Sequence, residues 1–426
     1  MSTTTTPEAT PERIAAARKA VISSSIGAAL EWFDIIVYAS FAVVISKNFF
    51  PDGGAALGLI LTFATFAISY LVRPIGGMIL GSYGDRHGRK KALTLTLLLM
   101  MVGTLIMALA PTHATVGIWA GVIILISRIV QGFSAGGEFG TATTFLVETA
   151  PNRKAYYASW QVASQGASML LASAFGFVLF NQLSTEDLYS WGWRVPFFVG
   201  LLIGPVGLYI RARLSETEEF STGPREHSPV RATFTHHLGR VLTGAACIGV
   251  ATISVYLILY MPTFAVNSLK VPASAAYLGG VVAGAVALVG VPFVGKLADR
   301  VGPARVMTWA AVAAFLLAWP MFQLIISAPT VLSLVLVIAV LGVIMSFYFG
   351  PLPALLTELF PSEVRTTGVS VAYNVGVTLL GGIAPLVLTW LLDITGSLNA
   401  PSLYYMGVAV ISLVGLTLAR RLYAAR

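Results

Sequence analysis

Apolar residues run along this chain in long blocks separated by short polar stretches. Averaged over a window of about 19 residues, the pattern predicts twelve spans. They lie near 20–46, 56–81, 92–111, 116–147, 156–182, 194–213, 240–267, 273–297, 304–327, 330–357, 365–393 and 402–423. Each approaches or exceeds the about 20 residues that a helix needs to cross hydrocarbon. In that medium backbone hydrogen bonds must close within the segment, so every span is expected to be helical. The expected fold class is therefore all-α integral membrane. One connection stands apart: residues 214–239 are polar and follow the sixth span, which reads as a cytoplasmic linker. It divides the chain into a cytoplasmic tail (1–19), a first six-helix bundle (20–213), the linker and a second six-helix bundle (240–426).

Composition agrees with the pattern. The chain of 426 residues is 57% hydrophobic and only 10% charged, where soluble domains carry about 25% charged residues. The first apolar run is too long for a cleaved signal segment and is expected to stay as an anchor. The single cysteine, Cys247, excludes an intrachain disulfide. The net charge of +8 is explained by topology. Of 26 Lys and Arg, Lys47, Arg194 and Lys270 fall on one side, Arg73 and Arg128 fall inside spans, and the rest lie on the side of the N-terminus. The positive-inside rule then places both termini in the cytoplasm, and no nucleic-acid partner is needed.

The halves repeat each other. GSYGDRHGRKKA (81–92) between spans 2 and 3 returns as GKLADRVGPARV (295–306) between spans 8 and 9. Gly81, Asp85, Arg86 and Gly88 align with Gly295, Asp299, Arg300 and Gly302. VETAP (147–151) likewise returns as TELFP (357–361). Two echoes near half the chain length indicate a duplicated six-span unit, and carriers built from such repeats bind near the midplane between the halves.

The anomaly is charge inside the spans. Glu31 and Asp34 sit three residues apart in the middle of span 1, so they share a helical face with Ser24, Gly27 and Tyr38. An acid at that depth is costly and faces water or a partner. At about 1.5 Å per residue, Glu31, Arg73 and Glu138 reach one depth, Asp34 lies a turn further and Arg128 deeper still. Glu31 is expected to pair with Arg73. With three acids and two arginines in the spans, one carboxylate is expected to lack a partner and to titrate near neutrality. Asp34 is the first choice for that proton carrier, ahead of Glu138. Arg128 and Gln131 share one side of span 4, Gln161 and Gln165 form a polar face of span 5, and the second half offers Tyr256 and Asn374. Those six are the expected substrate ligands. No charge lies mid-span in the second half, so charge chemistry is assigned to the first half and neutral hydrogen bonding to the second.

These features carry a resemblance. The loop motif at 81–91, RIVQGFSAGGEFG (128–140), EWFD (31–34) and RPIGG (73–77) resemble the major facilitator superfamily, and within it the metabolite:proton symporter family. The resemblance implies two pseudo-symmetric six-helix bundles, alternating access and proton-driven uptake of a small polar metabolite in the bacterial inner membrane, by a monomer. Gating by Gly81, Asp85, Arg86, Gly88, Arg89, Asp299 and Arg300 follows from the same resemblance, although the second copy has Pro303 and Ala304 where basic residues are expected. SWQVASQ (159–165) resembles the citrate and tricarballylate branch, and two arginine forks suit a carboxylate. A short end at Arg426 leans the same way, because osmolyte carriers of the family can extend further. The expected partners are thus a small organic anion, protons and the lipid bilayer. Proline or betaine carriage, another monocarboxylate such as shikimate, and a passive channel or sensor are the alternatives. No P-loop, HExxH, CxxC or GxSxG pattern occurs, so no enzyme, cofactor or metal is expected, and the neighbouring His236 and His237 read as solvated linker residues.

Overall fold

The computed structural model describes residues 11–52, 54–87, 89–149, 153–212, 229–361 and 364–423, and all regular structure among them is helical. Numbering the helices by span, α1 runs Pro11–Ser40 and continues, after a 68° bend, as Ala42–Phe49. Next come α2 (Gly54–His87), α3 (Arg89–Leu109), α4 (Trp119–Gly136 then Glu138–Thr149), α5 (Lys154–Gln182) and α6 (Val195–Ala212). The second half holds α7 (Leu238–Cys247 then Gly249–Phe264), α8 (Ala273–Val301), α9 (Pro303–Ser327) and α10 (Val331–Phe349 then Leu352–Leu359). It ends with α11 (Arg365–Val377 then Ala384–Thr395) and α12 (Ala400–Tyr423). Among the described residues, eleven helical stretches are long and apolar enough to cross a membrane, and the bent α1, taken as one span, makes a twelfth.

The expected helical spans are present among the described residues, and some of them are broken within. Span 4 breaks between Gly136 and Glu138, where paired glycines weaken the helix. Span 10 breaks at Gly350 and Pro351, and span 11 contains a wide π turn over Thr378–Gly382. The end of the linker, Pro229–His236, is helical. Gly88 lies outside the described residues, as do the side chains at 81, 85, 86 and 89.

Helices α1, α2, α4 and α5 of the first half face α7, α8, α10 and α11 of the second. Small residues make the close approaches, as they do where lipid supplies no hydrophobic drive between helices. A Cβ at Gly132 or Gly136 of α4 would strike the α2 backbone at Ser69 or Arg73. Between halves, a Cβ at Gly284 of α8 would strike α5 at Leu170 and Gly166. A Cβ at Gly77 of α2 would meet Gly136 and Asn374.

Breaks in the first half are where the second half attaches. Pro74 has no N–H to give the Tyr70 carbonyl four residues earlier, and Thr378 Oγ1 donates to that carbonyl at 2.8 Å. At the α4 break, Asn374 Nδ2 donates to the Gly136 carbonyl at 2.9 Å. At the α1 bend, the Tyr277 hydroxyl donates to the Ser40 carbonyl. A carbonyl without a donor is costly in hydrocarbon, so each of these side chains covers a group that its own helix leaves bare.

Thr378→Val is expected to destabilise by about 1–3 kcal/mol, the cost of one unsatisfied buried acceptor. Pro74→Ala, which restores an N–H to the Tyr70 carbonyl, should recover much of the loss. Thermal unfolding of the single and double variants in detergent measures both, and an additive double variant contradicts the pairing.

Candidate functional site

The intramembrane charges meet in one buried layer. Glu31 Oε1 lies 3.1 Å from Arg73 Nη2, and Asp34 Oδ2 lies 3.0 Å from Arg128 Nη2. The expected Glu31–Arg73 pair is therefore formed. The expectation that Asp34 lacks a cation is corrected: Arg128 reaches it from α4, and Thr104 Oγ1 of α3 donates to its second oxygen at 3.0 Å. Spacing along α1 could not show this, because α3 and α4 bring the partners from 70 and 94 residues away. Gln131 Nε2 continues the network by donating to Thr104 at 3.0 Å.

Each arginine also rests on a tyrosine. Arg73 Cζ stands 4.0 Å from the Tyr70 ring centroid, and Arg128 Cζ stands 4.1 Å from that of Tyr38. The layer thus holds two modules of one design, each an acid from α1, an arginine and an aromatic face, with the cation–π contact worth about 2 kcal/mol where water is excluded. Tyr70 precedes Arg73 by one turn, a signal that the sequence displayed and that charge counting passed over. Tyr38 is further held by Thr65, 2.6 Å from its hydroxyl.

The modules differ in surroundings. Asp34 and Arg128 are enclosed by α1 to α4 of the first half. Arg73 and Tyr70 face the second half, where the Tyr256 hydroxyl donates to the Tyr70 hydroxyl and Tyr256 and Tyr373 lie in electrostatic range of Arg73. Glu138, at the start of the second part of α4, accepts from Thr96 at 3.4 Å and sits in electrostatic range of Glu31. Its position in the first turn suits an acid, since helix N-termini favour negative charge.

The other expected ligands are distributed around this layer. Gln161 accepts from Thr143 at 3.2 Å, and Gln165 Nε2 is buried without a partner among the described residues. Arg73 Nε, Arg128 Nε and Gln131 Oε1 are in the same condition. Asn374, expected as a ligand, has its amide nitrogen committed to Gly136 and to Ser370, both at 2.9 Å. Tyr256 is committed to Tyr70.

Closures lie on both sides of the layer. Toward the end of the bundles bearing the loop motifs, Phe139 and Tyr373 stack with centroids 3.4 Å apart. Beyond them Asp299 accepts from the backbone N–H groups of Ala155 and Tyr156 at 2.9 and 3.1 Å. Two otherwise bare N–H groups at the start of α5 are thereby capped from the other half, despite Pro303 and Ala304 in that motif copy. Toward the opposite end, Phe63 meets Tyr260 and Tyr277 packs against Phe41 and Phe180. Between these closures Asp34 is 1% exposed, and Arg73 and Arg128 are 2% exposed.

Twelve membrane helices in two facing bundles, with a sealed charged layer between closures, define the class of alternating-access membrane transporters. The model of the Major Facilitator Superfamily matches residues 24–385, and the chain belongs to that family. A citrate-proton symporter of Klebsiella pneumoniae is 37% identical over 397 residues, covering 92% of this chain and 89% of the relative. A citrate-proton symporter of Salmonella typhi is 34% identical, covering 92% of each, and a proline/betaine transporter of Salmonella typhimurium is 33% identical, covering 93% and 82%. The fold also matches the xylose transporter of E. coli in a partially occluded, inward-open conformation, with TM-score 0.73 at 15% identity over 95% of this chain and 97% of that one.

Removing one member of a buried pair strands its partner, at about 3–5 kcal/mol, whereas removing both costs far less. Asp34→Asn is thus expected to lower thermal stability strongly and Asp34→Asn with Arg128→Gln to restore most of it. A double variant no more stable than the single one contradicts the pairing.

Proposed function

We propose that this protein is a proton-coupled symporter that takes up a small organic anion, a di- or tricarboxylate such as citrate or tricarballylate, by alternating access. The observation that carries the reading is the buried Glu31–Arg73 pair on the face between the bundles. Arg73 can exchange one carboxylate for another there. A proton arriving on Glu31 cancels its charge and frees the guanidinium, whose fork then takes a substrate carboxylate. Arg128, with its Nε unpaired, is the second anchor, and Gln131, Gln161 and Gln165 serve the rest of the substrate.

This arrangement couples the two fluxes. With Glu31 ionised and the site empty, Arg73 is paired and the bundles can close over it. With Glu31 protonated and substrate bound, Arg73 is paired again. Of the two remaining combinations, ionised and loaded sets two carboxylates against one arginine, and protonated and empty buries an unmatched arginine at about 3–5 kcal/mol, which suppresses proton slip by roughly two to four orders of magnitude. Geometry moves the first choice of carrier from Asp34 to Glu31, because Asp34 is held at both oxygens inside the first bundle. Asp34 and Glu138 remain as the further acids that a multiply charged substrate requires. One charge crossing 100 mV is worth about 2.3 kcal/mol, so electrogenic uptake of a trianion, helped by an inside-negative potential, needs more protons than the anion has charges.

The positive-inside pattern supports cytoplasmic termini, and a monomer in the bacterial inner membrane suffices for this mechanism. The alternating closures would be worked by Asp299 and Arg300 together with Gly81, Asp85, Arg86, Gly88 and Arg89. Carriage of proline or betaine is the second reading, favoured by the 33% identical relative. A quaternary ammonium calls for open aromatic faces, whereas the Tyr38 and Tyr70 faces already carry arginines.

Purified protein in proteoliposomes should accumulate a tri- or dicarboxylate when a pH gradient is imposed. The panel is citrate, tricarballylate, 2-oxoglutarate, shikimate, proline and betaine. An inside-negative potential at fixed pH should speed uptake. Accumulation of proline or betaine alone would hand the assignment to the second reading, and accumulation of none would end the symport reading. Slower uptake under the potential would refute the excess of protons.

A further inference from the structure

In the second half, Tyr373 keeps a donor unspent beside the charged layer. The Tyr373 hydroxyl is buried and has no hydrogen-bond partner among the described residues. Arg73 Nε is likewise buried and unpartnered. Tyr373 lies in electrostatic range of Arg73, Glu31 and Tyr70. The neighbouring polar groups of the second half are already engaged: Tyr256 with Tyr70, Thr378 with the Tyr70 carbonyl and Asn374 with the Gly136 carbonyl.

Tyr373 is held in place without the use of its hydroxyl. Its ring is nearly parallel to that of Phe139, at an interplanar angle of 7°. Its chain neighbour Asn374 is fixed to the α4 break, where Gly77 also approaches. Most buried hydroxyls in native structures have partners, and a rigid donor with none, held beside a layer of arginine and carboxylate, suits an acceptor that arrives from outside.

We propose that Tyr373 is a specificity-determining residue, whose hydroxyl joins Arg73 Nε in taking one carboxylate group of the substrate. This rests on the symport reading above and goes beyond it by assigning a donor to the second half. The Tyr373 O–H donates to one carboxylate oxygen while Arg73 donates from its guanidinium, and both bonds are strengthened by the anionic acceptor. The bound carboxylate then bridges α2 and α11. Substrate thereby replaces the proton-sensitive Glu31 contact with one that spans both bundles, and a substrate lacking a carboxylate at that point forms no such bridge.

Tyr373→Phe tests the assignment, because it keeps the ring stacked on Phe139 and removes only the donor. In proteoliposomes, for the panel member that the unaltered protein accumulates best, KM should rise about tenfold or more, with kcat within about twofold and the proton-to-substrate ratio unchanged. Equilibrium binding measured by calorimetry should weaken by the same factor. Arg73→Lys should weaken binding non-additively with Tyr373→Phe, since both act on one carboxylate. Unchanged KM and Kd in Tyr373→Phe, or strictly additive losses, overturn the proposal. A fall in kcat and thermal stability at constant KM assigns Tyr373 to packing and also overturns it. The parent reading fails separately, when the unaltered protein accumulates no anion.

Discussion

An unpaired charge cannot be closed into a dry layer without a penalty of several kcal/mol, and the centre of this molecule is built around that constraint. Glu31 and Arg73 satisfy each other at 3.1 Å, and Asp34 and Arg128 do so at 3.0 Å. Each arginine gains a tyrosine face besides. Because both arginines already have carboxylate partners, a substrate anion enters by taking over an arginine, and a proton provides the opening. The same rule that stabilises the empty protein therefore governs what it can carry and when it can close.

A parallel rule acts on the backbone. Three carbonyls of the first half, at Ser40, Tyr70 and Gly136, lie at a bend, before a proline and at a glycine break, and each accepts from a side chain of the second half. These contacts are local and polar, so they can part and reform as one bundle turns against the other, while the glycine-lined seams between α5 and α8 permit close sliding. The bridge through Tyr373 lies among them. Substrate contact and bundle closure thus meet in one short stretch of α11, from Tyr373 to Thr378.

Much of the fold was legible in the sequence because hydrocarbon imposes long apolar blocks, and the duplication was visible in the aligned Asp85 and Asp299. Breaks inside spans were less legible. Gly136–Gly137 and Gly350–Pro351 are local signals, but the bend at Ser40 has no local proline or glycine and is matched by Tyr277 in another helix. In the site, depth along the helices gave the Glu31–Arg73 pair correctly. It did not give Asp34 its partner, since residues from α3 and α4 converge on it only after packing. Asn374 shows the reverse failure. As a polar residue in an apolar span it reads as a ligand, yet its amide is occupied by the α4 break, and the free donor is the adjacent Tyr373.

The central claim is that Glu31 and the substrate share Arg73. Counterflow and pH-driven accumulation measured side by side for Glu31→Gln test it most directly. A permanently neutral residue at 31 leaves Arg73 paired when substrate is bound and unpaired when the site is empty. The loaded protein should therefore still exchange, and the empty protein should fail to return. Near-normal counterflow of the transported anion with accumulation lost is the expected result. Accumulation equal to that of the unaltered protein would contradict it.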